Sequence, residues 1–141
     1  MKLLKYMLLA LLMTAQHTAA EARSIQVPHV YLFGFSASFK DSVIYITDIQ
    51  DARQAWIDSK TKFLLGRDNY SYQLKDYLSA TLGQPDRICM VFYATTKRKI
   101  EKQYQKLKRK YTGKGKRNTN YDVKFIDDFT FTVVDMSPEQ Q

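Results

Sequence analysis

Apolar and polar positions along the chain change period several times, and each change marks an element. His29 to Phe35 (HVYLFGF) and Val43 to Ile49 (VIYITDI) are rich in β-branched and aromatic residues. The link between them, Ser36 to Ser42, is short and mostly polar, so the pair predicts a β-hairpin. In its second strand Ile44 and Ile46 face one way and Val43, Tyr45 and Thr47 the other. Gly34 marks a bulge or a close backbone approach. Asp51 is placed to cap a short helix through Ala52, Ala55 and Trp56. Beyond Gly66, the residues Tyr70, Leu74, Tyr77, Leu78 and Leu82 form a helical stripe, capped by Asp68 or Asn69 and closed by Gly83 and Pro85.

Ile88 to Tyr93 is a continuous apolar run, the pattern of a strand buried on both faces in the middle of a sheet. After it, Ile100, Tyr104, Leu107 and Tyr111 fall on one stripe of a helix, with Thr95 or Thr96 to cap its start and Gly113 to end it. Thr112 to Asn120 contains no apolar residue and reads as a loop. Tyr121, Val123 and Phe125, then Phe129, Phe131 and Val133, alternate with polar residues around Asp127 and Asp128, predicting two strands with one buried face each. The order β-β-(α)-α-β-α-β-β predicts an α+β domain over residues 23–135. Its expected form is a largely antiparallel sheet of about five strands with two main helices packed on one face. Residues 23–28 read as a lead-in and residues 136–141 as a polar tail.

The first 22 residues read as an export signal. Lys2 and Lys5 make a positive start, Leu3 to Met13 is largely apolar, and Ala20, Glu21 and Ala22 match a small-residue cleavage pattern. The apolar stretch is shorter than the roughly 20 residues that span a bilayer, and no later segment is long and apolar enough. The expectation is therefore a periplasmic or secreted protein whose mature chain has no transmembrane segment.

Charge changes the picture more than composition does. The formal net charge is +8, but residues 97–117 hold 11 basic residues and one acid. The rest of the mature chain sums to a slightly negative value. A mildly acidic body thus carries one basic limb: Lys97, Arg98, Lys102, Lys106, Arg109 and Lys110 on the helix, then Lys114, Lys116 and Arg117 in the loop. Such a limb attracts polyanions. Export directs the expectation to an anionic envelope polymer, a lipid head group or a protein partner rather than nucleic acid. Solvation alone also accounts for many lysine-rich faces. A second candidate surface combines Trp56, Arg67, Tyr70 and Tyr72 near a helix start, where backbone N–H groups hold anions or sugar hydroxyls; burial of Trp56 and capping by Asp68 are the plainer reading.

Catalytic patterns are sparse. His29 is the one histidine after the signal, and no Gly-x-Ser-x-Gly elbow accompanies it. Cys89 is the only cysteine, which excludes an intramolecular disulfide and a thiolate metal cluster. Its place in an apolar run suits a small hydrophobe. The pairs Asp48 with Asp51 and Asp127 with Asp128 carry no metal-motif spacing. The Thr112 to Lys116 stretch lacks phosphate-loop spacing. No catalytic residue, metal or cofactor is expected. The alternative reading is a small hydrolase acting on a phosphodiester or cell-wall bond, using Asp48, Asp51 and His29. It requires the three to converge in one cleft.

Met90 to Val134, with a strand, the Ile100, Tyr104 and Leu107 helix, YDVKF and FTFTV, resembles the β-α-β-β part of SPOR domains. These are small periplasmic modules that bind peptidoglycan, so the resemblance implies a ferredoxin-like half and an envelope ligand. The hairpin-first start and the basic helix depart from that family. Tyr31, Tyr45 and Arg53 in the hairpin resemble GIY-YIG nucleases, without their glycines or a metal-binding glutamate. In style the whole chain is similar to small exported proteins of unknown function from Gram-negative anaerobes, a similarity that implies no activity.

Overall fold

The computed structural model describes residues 23–113 and 120–138. The predicted signal segment and the basic loop residues Lys114, Lys116 and Arg117 lie outside the described residues. The elements run β1 (Ser24–Gln26), β2 (His29–Ala37), β3 (Val43–Thr47), β4 (Gln50–Arg53), β5 (Trp56–Asp58), α1 (Arg67–Leu82), β6 (Ile88–Ala94), α2 (Lys97–Thr112) and β7 (Asp122–Ile126). The fold is α+β with a five-stranded sheet. Three of its pairings are antiparallel, and β3 with β7 is parallel.

The centre of the sheet is β2. One of its edges pairs with β6 from Tyr31 to Ala37. Its other edge pairs first with β3, Phe35 opposite Ile46, and then with β4, Leu32 opposite Gln50. Between these two registers the β3–β4 side gains one residue, so Thr47 to Ile49 forms a bulge. The hydroxyl of Thr47 accepts the Gly34 N–H at 2.8 Å there, replacing a ladder bond that the bulge removes. Gly34 is the close approach expected of it: a methyl group at this position would lie 2.6 Å from Leu74 Cδ2.

The bulge also reverses which side chains face which layer. Before it, Ile44 and Ile46 join Phe33, Phe35, Ala94 and Ile100 on one face; after it, Ile49 lies on that face and Ala52 on the other. This reversal breaks the period-2 signal, and the helix expected from Asp51 is instead strand β4 followed by β5. The lead-in at residues 24–26 is likewise a strand, paired with β5.

The two helices lie on opposite faces, not on one. Tyr70, Leu74 and Leu78 of α1 pack with Val30, Leu32 and Val91; Ile100, Tyr104, Leu107 and Tyr111 of α2 pack with Phe33, Phe35 and Ile46. The reason is β2, which is apolar in both directions and needs cover on both sides. That also corrects the placement of β6. It is an edge strand, with Ile88 and Met90 at 50% and 41% exposure, while the central strand is β2. Arg67 guards its outer edge by donating from Nε and Nη2 to the Val91 carbonyl at 3.2 and 3.0 Å.

Helix α1 starts after Gly66, in a left-handed conformation, without a side-chain cap. Asp68 sits inside the first turn, where it complements the helix dipole. Gly83, at φ 61°, ends the helix, and the Gln84 N–H returns to the Leu78 carbonyl.

The final expected strand is absent. Residues 129–134 pair with no strand. They form a strap over the α1 face, with Phe129 and Phe131 buried in its core. Side chains replace the missing ladder. Gln50 donates to the Phe129 carbonyl at 2.7 Å and accepts from the Phe131 N–H at 2.8 Å. Gln73 does the same to both backbone groups of Thr132, at 2.8 and 2.7 Å. The Tyr70 hydroxyl accepts the Val134 N–H. Each carboxamide offers a donor and an acceptor side by side, as a neighbouring strand would. At the start of the strap Tyr77 donates to Asp128 at 2.5 Å; that bond, ahead of burial, pushes the phenol pKa up to about 12.

Candidate functional site: the outward face of the basic helix

Helix α2 begins at Thr96, whose hydroxyl accepts the Lys99 N–H, and ends at Gly113 with φ 72°. Its apolar stripe is anchored by rings. Tyr104 meets Phe33 edge-on at 5.1 Å, and Tyr111 packs on Phe35 at 5.1 Å and Tyr121 at 5.0 Å. Burial, then the charge of Asp48, raises the Tyr104 pKa.

With that stripe fixed, a repeat of 3.6 residues sends Arg98, Lys102, Lys106 and Arg109 outward. Lys97, Arg98, Lys102, Lys106, Arg109 and Lys110 are all exposed. The row from Arg98 to Arg109 is about 16 Å long. Lys108 turns sideways, its ammonium 5.3 Å from the Phe125 ring centre, and Lys110 lies 5.4 Å from that of Tyr111. Among the described residues no α2 cation is in an ion pair.

This charge placement works against the helix. Lys97, Arg98 and Lys99 occupy the first turn, where the helix dipole disfavours cations. Arg98 with Lys102, Lys102 with Lys106 and Lys106 with Lys110 are like-charge pairs four residues apart, each destabilising by a few tenths of a kcal/mol. Only Arg109 and Lys110, in the last turn, suit the dipole. The helix holds because its buried stripe outweighs these terms.

The second candidate surface does not assemble. Tyr70 is fully buried in the core, where its ring completes the packing under Phe131. Arg67 is engaged with β6, its guanidinium carbon 5.4 Å from the Tyr93 ring centre. Trp56 is held in β5 opposite Gln26. Tyr72 alone of the four lines a cavity of about 470 Å³ between α1 and the start of β6, with Ser71, Lys75, Arg87 and Cys89.

The hydrolase constellation comes together only in part. His29 Nδ1 lies 2.8 Å from Asp51 Oδ2, which also meets Arg53 Nε at 3.4 Å. Asp48 and Asp51 line a cavity of about 240 Å³ with Asp127, and His29 does not line it. No group of three metal-ligating side chains exists among the described residues.

Cys89 is half-buried beside Ser36, its sulfur 3.5 Å from the hydroxyl. Burial pushes its pKa above 9.0, so the thiol stays protonated at neutral pH and is a weak nucleophile. Alkylation by iodoacetamide at pH 7.5 is expected to be about tenfold slower in the folded than in the urea-unfolded chain. Mass spectrometry over time checks this, and equal rates would show the thiol to be free.

Arg87 belongs to no sequence motif, yet it organises one end of the sheet. Its side chain is 2% exposed. It grips both carboxylate oxygens of Asp41, donates to the Val43 carbonyl, and stacks 4.9 Å from the Tyr45 ring centre. Its only sequence signal was a cation opening an apolar strand. Compared with known proteins, the chain matches no family model, no curated protein and no solved structure.

Proposed function

We propose that the protein is an exported, non-catalytic binding module that engages an anionic surface through the outward face of α2. The observation that carries this reading is the row of exposed cations set on a rigid helix without ion-pair partners among the described residues. The row costs the helix stability at both its first turn and its like-charge pairs, so its presence is not explained by folding. The N-terminal export pattern supports an envelope or extracellular setting, where phosphate- and carboxylate-bearing polymers and lipids are the abundant anions. Among the described residues no helix is long and apolar enough to cross a membrane.

The test compares two variants of equal net charge. Lys102, Lys106 and Arg109 changed to Glu should weaken binding to a soluble phosphate polymer about tenfold or more at 0.1 M salt and flatten its salt dependence. Lys60, Lys62 and Lys75 changed to Glu remove the same charge from exposed positions elsewhere and should weaken it far less. Equal losses would reduce the effect to net charge and remove the site.

A further inference from the structure

The β2–β3 hairpin ends in a tip that folding does not explain. Phe39 is 96% exposed, the most exposed large apolar side chain of the described residues. The tip around it is built rather than loose. Ser38 Oγ accepts the Lys40 N–H at 3.1 Å, and Asp41 Oδ1 accepts the Val43 N–H at 3.0 Å. Arg87, itself buried, clamps Asp41 and the Val43 carbonyl from behind. A phenylalanine held in water by a hydrogen-bonded loop forgoes the burial that this side chain gains elsewhere.

The tip lies at the C-terminal end of α2. That helix runs along β2, with Tyr104 over Phe33 and Tyr111 over Phe35, so its last turn heads toward the hairpin end. β7 starts there too, as the Asp122 N–H bonds the Ser42 carbonyl at 2.9 Å. Arg109 and Lys110 of the last turn therefore share this end with Lys40, whose ammonium is exposed and only 4.0 Å from an equally exposed Asp86. Asp86 and Asp122 are the opposing charges, while Asp41 is neutralised by Arg87.

We infer that this end of the molecule docks on an anionic lipid bilayer, with Phe39 entering the interface and the surrounding cations meeting phosphate head groups. The inference rests on the α2 reading and narrows it. A soluble polyanion uses the cations and leaves Phe39 in water, whereas a bilayer takes both an apolar wedge and the positive charge beside it.

The experiment uses the full mature chain with vesicles of phosphatidylcholine, vesicles containing phosphatidylglycerol, and a soluble phosphate polymer. Sedimentation should show binding to the phosphatidylglycerol vesicles and not to pure phosphatidylcholine. Phe39→Asp should lower vesicle binding about tenfold with polymer binding unchanged, and Phe39→Leu should restore it. Phe39→Trp should show a fluorescence blue shift on vesicle addition. Vesicle binding by Phe39→Asp equal to wild type, or polymer binding without vesicle binding, overturns the bilayer inference and leaves the α2 reading standing. Binding of wild type to neither probe overturns both.

Discussion

Gly34→Val is expected to destabilise the protein by about 3 kcal/mol, the upper end of the range for an overpacked core site. β2 is enclosed on both faces, and Gly34 faces α1 at the place where three separate elements converge. A methyl group there would lie 2.6 Å from Leu74 Cδ2, 3.2 Å from Phe131 Cζ and 3.2 Å from Thr47 Cγ2. Leu74 is fully buried, so its side chain must repack against its neighbours to make room. Thr47 is tied to the same glycine through the Gly34 N–H, and Phe131 is tied by Gln50. Valine adds further carbons to the same crowded space. Gly34→Ala asks less of Leu74 and should cost about 1–2 kcal/mol. Urea titrations followed by circular dichroism measure both, read as shifts in midpoint at unchanged slope. A valine variant within about 0.5 kcal/mol of wild type would show that this face of the sheet is not packed as described.

Arg87→Ala should cost a similar amount, about 3 kcal/mol, for a different reason. The guanidinium is buried, and its removal leaves the Val43 carbonyl without its donor and the Tyr45 ring without its cationic cover. Asp41 adds little to this loss, since it is partly in water and rehydrates. Arg87→Lys should recover only a fraction, because an ammonium cannot span both carboxylate oxygens and the carbonyl. There is an accompanying pH signature. The Arg87 hydrogen bond, then the Val43 N–H, lowers the Asp41 pKa below 3.8. A carboxyl lowered in the folded state stabilises the fold above its unfolded value and loses that contribution as pH falls through the folded value. Wild type should therefore lose stability from this group below about pH 4, and Arg87→Ala should keep only the smaller part of that slope that the Val43 N–H supplies. Unfolding midpoints between pH 2.5 and 6 test it; identical slopes would show that the pair is not formed in solution.

Both helices, their glycine stops and the β2–β3 hairpin were legible because each depends on local periodicity. Ile100, Tyr104, Leu107 and Tyr111 repeat cleanly, and Thr96 caps where a hydroxyl was expected. What was not legible depends on distant partners. The Thr47 to Ile49 bulge swaps the faces of β4 relative to β3, so that Asp51, Ala52 and Ala55 imitate a helix start. Residues 129–133 alternate like a strand, yet their partners are the carboxamides of Gln50 and Gln73, which carry no pairing signal. The apolar run at Ile88 to Tyr93 resembles a central strand, but Ile88 and Met90 stay in contact with water at the edge. For the candidate site, the sorting of cations onto α2 followed directly from spacing. Phe39 did not stand out, since a single aromatic in a short link reads as part of a hairpin until its exposure is known. Nor did Arg87, whose role is set by Asp41, 46 residues away.

The glutamine-held strap also has a consequence for synthesis. The residues it ties together are separated by 59 to 81 positions, and the later member of each pair leaves the ribosome after every sheet strand has emerged. A nascent chain thus passes through an interval in which Leu32, Leu74 and Leu78 have neighbours below but no lid above. A polypeptide cut short at Ile126 would keep that apolar face open and is expected to aggregate.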